Sequence, residues 1–108
     1  MSWKKRSPFV ALYGLLLTGG ALAVQDGISQ KGKTFTPGEL SREVGATLRI
    51  ANDDAIPHNI QFMTPDGENK NLGLQMPGDH SDIVIEKLGD YMVRCGIHPK
   101  MKLVVHAR

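Results

Sequence analysis

One cysteine, four histidines and no long apolar run narrow the possibilities for this chain before any motif is read. A lone cysteine cannot close an internal disulfide, and in an exported chain it calls for a partner or a metal. The longest apolar stretch, residues 9–23, runs 15 residues, short of the roughly 20 that cross a bilayer. No cysteine lies near the end of that stretch to take a lipid anchor. Four histidines are too few for an enzyme with several metal centres, and no serine, histidine and aspartate form a recognisable nucleophilic set. No segment carries a sustained helical period, and there is no internal repeat or linker.

What is present begins with an export-type leader. Lys4, Lys5 and Arg6 precede the apolar stretch, and Ala21-Leu22-Ala23 offers a small-residue cleavage site. Residues 1–23 are therefore expected to be a signal peptide and residues 24–108 the mature domain, periplasmic and without stable membrane association after cleavage. The whole chain has 13 Lys and Arg against 11 Asp and Glu. Three of the basic residues fall in the leader, which leaves ten against eleven, a net of −1. That balance points away from nucleic acid. The mature part is one small domain, expected to be monomeric, in which a bound metal would add stability.

The mature segment reads as short strands punctuated by turns. Residues 47–51 place Leu48 and Ile50 on one face; residues 91–95 do the same with Tyr91, Val93 and Cys95, and residues 102–106 with Leu103 and Val105. Further strands are expected near 34–36, 40–44, 56–63 and 82–86. Pro37-Gly38, Gly45, Asn52-Asp53-Asp54, Pro77-Gly78 and Gly89-Asp90 supply the turns. Residues 24–33 look like an irregular lead-in, and polar residues 64–72 like a surface loop. The sum is an all-β, antiparallel sandwich.

The densest chemistry lies in Cys95-Gly96-Ile97-His98-Pro99-Lys100-Met101, which offers a thiolate, an imidazole and a thioether within seven residues. Such donors, with one more imidazole, suit copper. Zinc would more often draw four strong nitrogen or sulfur donors. His58, between Pro57 and Asn59, is the candidate for the second imidazole. Met63, Met76 and Met92 read as gap-fillers or surface contacts, and His80 and His106 as solvated.

Cys-x-x-His-x-x-Met after a strand, with an upstream Pro-His-Asn, resembles the small blue copper proteins, the cupredoxins. The short gap from His98 to Met101 is most similar to amicyanin, shorter than in plastocyanin-type proteins. The resemblance implies a Greek-key sandwich holding one type 1 copper ion, with His58, Cys95 and His98 as equatorial ligands and Met101 as the weak axial one. It implies that Asn59 ties the ligand loops together through its backbone N–H to the cysteine sulfur. Ile97 stands where amicyanin-like loops have proline, so its N–H is expected to reach the same sulfur. The surface around His98 and Pro99 is expected to be apolar, with Met63 or Met76 nearby and Lys100 and Lys102 as steering charges. The function implied is a Cu(I)/Cu(II) electron shuttle and not an enzyme. Its partners would be redox proteins, a dehydrogenase donor and a c-type cytochrome acceptor. The competing reading is a copper carrier or store that transfers no electrons.

Overall fold

The computed structural model describes residues 24–108, so the leader expected at residues 1–23 lies outside the described residues. Nine strands follow in order: β1 (Val24–Gln30), β2 (Phe35–Thr36), β3 (Glu39–Arg42), β4 (Thr47–Asn52), β5 (His58–Met63), β6 (Asn69–Gln75), β7 (His80–Val84), β8 (Gly89–Cys95) and β9 (Lys102–Ala107). They form two sheets, one in the order β2-β1-β4-β7 and the other β3-β9-β8-β5-β6. The sandwich expected from the sequence is present.

Alternation dictates which side chains lie between the sheets. Leu48 and Ile50 of β4 and Ile28 of β1 face Ile60 of β5, Tyr91 and Val93 of β8, and Leu103 and Val105 of β9, all buried. Each such side chain removed from water contributes about 1.5–3 kcal/mol before chain entropy is counted. The Tyr91 hydroxyl accepts the backbone N–H groups of Glu86 and Lys87, both at 3.0 Å, and so fixes the turn between β7 and β8.

At the opposite end the interior turns polar. Gln30, Asn52 and Gln75 are buried. Gln30 donates to the Gln75 side chain at 2.6 Å across the two sheets, and Gln75 donates to the Ile50 carbonyl and the Ser81 hydroxyl. Asn52 donates to the carbonyls of Ile56 and Gln75. These bonds hold loops, not further core, and the loops they hold carry the site.

Three features depart from the sequence reading. Residues 24–30 are a strand parallel to β4, and β3 runs parallel to β9, so each sheet is mixed. Polar residues 69–71 are not loop; they open the edge strand β6, paired to β5. An edge strand exposed to water has no need of apolar alternation. His106 does point outward, but it lies between two carboxylates, 2.7 Å from Asp90 and 2.5 Å from Glu39, and links β3, β9 and β8.

Those hydrogen bonds, Glu39 first and Asp90 second, hold the His106 pKa above its ordinary 6.5. A raised pKa means that the stability this link contributes is complete below the unfolded value. It is lost as pH climbs through the folded value. In the metal-free protein, the stability lost on His106→Gln should be greatest near pH 5.5–6, roughly within a unit below the free pKa, and should shrink above neutrality. Denaturant midpoints of both proteins across that range measure it, and a pH-independent difference would show that the ion pairs contribute nothing.

Candidate metal centre

The site is assembled by one strand pairing. β5 and β8 are antiparallel neighbours with Ile60 opposite Cys95. The first residue of β5, His58, therefore lies at the same end as the last residue of β8, Cys95. Both side chains point inward and both residues are buried. The segment after Cys95 turns back at once. The Gly96 N–H bonds to the Asn59 carbonyl at 2.8 Å, and the Met101 N–H to the His98 carbonyl at 3.0 Å. That turn brings His98 over His58, ring centroids 4.9 Å apart and edge to face, and leaves Met101 buried just before β9.

His58, Cys95 and His98 are the group of metal-ligating side chains that converges among the described residues. The Cys95 Sγ lies 3.5 Å from Nδ1 of each histidine, and the two Nδ1 atoms are 3.1 Å apart. A triangle with edges of 3.5, 3.5 and 3.1 Å has a centre about 2.0 Å from each corner, near the bond length of a transition metal to imidazole nitrogen. Three electron-pair donors aimed at one point in a buried setting are best satisfied by a cation. The soft sulfur and two imidazoles favour copper over oxygen-seeking ions.

The surroundings prepare each donor. Nε2 of His58 lies 2.6 Å from the Asp54 carboxylate, which puts its proton on Nε2 and leaves the Nδ1 lone pair facing the sulfur. Asp54 in turn accepts the N–H groups of Gly32 and Lys33 at 2.5 and 3.1 Å. Burial pushes the Asp54 carboxyl up, but the bond to His58 and those from Lys33 and Gly32 outweigh it and hold it below its ordinary range. His98 is pushed down, first by burial and then by the repulsion that a proton on its ring would meet beside His58 and Lys33, which favours the neutral ring that a metal needs. The Asn59 N–H reaches the Cys95 sulfur at 3.4 Å.

Three of the four sequence-derived donors, His58, Cys95 and His98, are thus brought together, while Met101 lies buried just before β9. Among the described residues no hydrogen bond joins Ile97 to the sulfur; of the backbone N–H groups, only that of Asn59 reaches it. Pro99 and Ile97 are exposed and border a shallow apolar recess with His98, Lys33, Lys100 and Met101. Met76 follows Gln75, the residue paired with His58, and is exposed at this end. Met63 closes the far end of β5 and lies beside Met92, away from the site. Asp54 was readable only as part of a turn. The available signal was a carboxylate four residues before a candidate ligand histidine.

No family model matches the chain. It is 35% identical over 77 residues to the methylamine utilization protein MauL of Methylophilus methylotrophus, covering 68% of this chain and 44% of that protein. The MauL of Methylorubrum extorquens is 33% identical over 64 residues, covering 59% and 56%. The chain thus spans about half the length of the curated relatives it matches. Among solved structures, a purple cupredoxin from Nitrosopumilus maritimus superposes with a TM-score of 0.68 at 27% identity, over 78% of this chain and all of that one. The oxidised P96G variant of amicyanin superposes with a TM-score of 0.71 at 22% identity, over 79% and 82%, a likeness of fold.

The role of Asp54 is open to direct measurement. In metal-free protein, long-range proton–nitrogen spectra should show His58 as the Nε2–H tautomer, and Asp54→Ala should mix the tautomers. The same change should weaken metal binding about 10–100-fold. An unchanged tautomer with unchanged affinity would remove Asp54 from the site.

Proposed function

Because the chain is a cupredoxin, we propose that it is an exported type 1 copper protein that carries single electrons between periplasmic redox partners. The observation that carries this reading is the convergence of His58 Nδ1, Cys95 Sγ and His98 Nδ1 on one point beneath an exposed apolar recess. In it His58, Cys95 and His98 would hold the metal, with buried Met101 as a further, weaker donor. Residues 1–23 act as the export signal, and residues 24–108 as the working domain. Copper bound there supplies a one-electron Cu(I)/Cu(II) couple.

The chain's own residues do the rest. Strands β5 and β8 hold His58 and Cys95 in register whatever the charge state, so little has to move on transfer. Asp54 fixes the buried His58 ring, and Asn59 stabilises charge on the sulfur. His98 is only partly buried, bordered by exposed Ile97 and Pro99, so its outer edge is the short path to a docked partner. Small apolar contacts of this kind suit brief encounters. Lys31, Lys33, Lys100 and Lys102 are exposed at this end and form no ion pair among the described residues. They favour a partner with an acidic face. The name of the MauL relatives supports a place in methylamine use; the resemblance to amicyanin implies a dehydrogenase as donor and a c-type cytochrome as acceptor. The apolar recess beside His98 favours a carrier over an enzyme, and over a closed copper store that would have no use for an exposed ligand edge.

Loading mature protein with Cu(II) should give an intense visible thiolate band that reductant bleaches reversibly. A colourless protein that binds only Cu(I) would favour the store. Cys95→Ser should abolish the band, and Met101→Leu should keep it while shifting the potential. Lys100→Glu should weaken the salt dependence of transfer to an acidic partner; an unchanged dependence would reject the steering role.

A further inference from the structure

Gly96 follows the thiolate donor, yet its φ does not fall in the left-handed region that would demand glycine. Space demands it instead. A Cβ built on Gly96 would lie 2.6 Å from Nε2 of Gln61 and 2.7 Å from Oδ1 of Asn59. Those two groups are bonded to each other, Gln61 donating to Asn59 at 3.0 Å. Asn59 and Gln61 are two residues apart on β5, so both face outward on the five-stranded sheet, and their linked amides lie across Gly96.

The position of this pair is what gives it consequence. The Asn59 backbone holds the end of β8 twice: its N–H reaches the Cys95 sulfur at 3.4 Å, and its carbonyl accepts the Gly96 N–H at 2.8 Å. Gln61 contributes nothing to the apolar core and is only half-buried on the outer face. Its amide nevertheless anchors the side chain of the residue that bonds the sulfur. We infer that Gln61 is a positioning residue for Cys95: its side chain locks Asn59 over Gly96 and thereby keeps the Asn59 N–H on the thiolate. Glycine at position 96 is the gap this lock requires. The consequence for the potential rests on the copper reading above; the lock itself does not.

Two changes release the lock by different routes. Gln61→Ala removes the anchoring amide. Gly96→Ala keeps both amides and drives them apart, since the flexible end of Gln61 must yield to the new methyl group. With the N–H bond to sulfur loosened, the thiolate donates more strongly to Cu(II), so each change should lower the reduction potential while leaving the visible band in place. Once Gln61→Ala has freed Asn59 to turn aside, a methyl at position 96 meets little resistance, so the double variant should match the single ones.

The experiment reads two properties of all four proteins. In metal-free protein, hydrogen exchange at the Asn59 and Gly96 N–H groups should be several-fold faster in both single variants and no faster in the double. In copper-loaded protein, the potential should follow the same non-additive pattern, with melting temperatures close to that of the parent. Parent-like exchange in Gln61→Ala, or additive effects in the double variant, would overturn the lock. A parent that exchanges as expected but never turns blue would defeat the copper reading and leave the lock standing.

Discussion

The antiparallel ladder between β5 and β8 is the constraint on which the site depends. It sets Ile60 opposite Cys95, and the convergence of His58, Cys95 and His98 follows from that register. A slip of one residue would turn His58 to the outer face and bring Asn59 inward, because side chains alternate. The register is held by the apolar side chains that this alternation buries. Ile60, Val93 and Tyr91 lie between the sheets only in the observed pairing. Core packing and ligand geometry are therefore one specification. A change that weakens the first loosens the second.

Between that core and the donors lies the layer of buried amides. Apolar side chains there would pack as well, but they could not hold loops whose backbone groups need partners. Asn52 illustrates the exchange. It gives its two N–H groups to carbonyls of the Ile56 and Gln75 backbone and accepts the Asp54 N–H at 2.9 Å. Asp54 then reaches both the His58 ring and the turn that carries Lys33. Losing one member leaves buried polar groups unpaired, which costs about 1–3 kcal/mol each. The layer converts a stable sandwich into a fixed set of loops at one end, and it links the buried ligand to the charged rim around His98.

How much of this was legible depended on distance along the chain. Cys95, His98 and Met101 sit in one seven-residue stretch, so their joint chemistry could be read directly. His58 is 37 residues from Cys95, and only its Pro-His-Asn setting picked it out. Asp54 could not be found that way, because its other partners are backbone N–H groups 21 and 22 residues earlier. The carboxylates beside His106 come from 16 and 67 residues away. The core strands were legible through alternation. β6 was not, since it meets β5 on one side only and carries polar residues in its first half. β3 was expected near residues 40–44, but its parallel direction, like that of β1, went unread for a related reason: nothing local encodes the direction of a pairing made with a distant strand.

Edge strand β6 carries one more consequence. Its ladder with β5 is interrupted where Gly73, at φ 90°, opposes Ile60 and the next pair is Asn71 with Gln61. Leu72 is the extra residue; it remains exposed at the border of the cleft lined by Phe62, Ile83 and Tyr91. A bulge of this kind bends a strand and breaks the even row of N–H and C=O groups that a second chain would need to extend the sheet. At high protein concentration, a straight edge bearing Leu72 and Leu74 would invite edge-to-edge aggregation. The kink at Gly73 blunts that template, so protection against self-association is built into the strand next to His58.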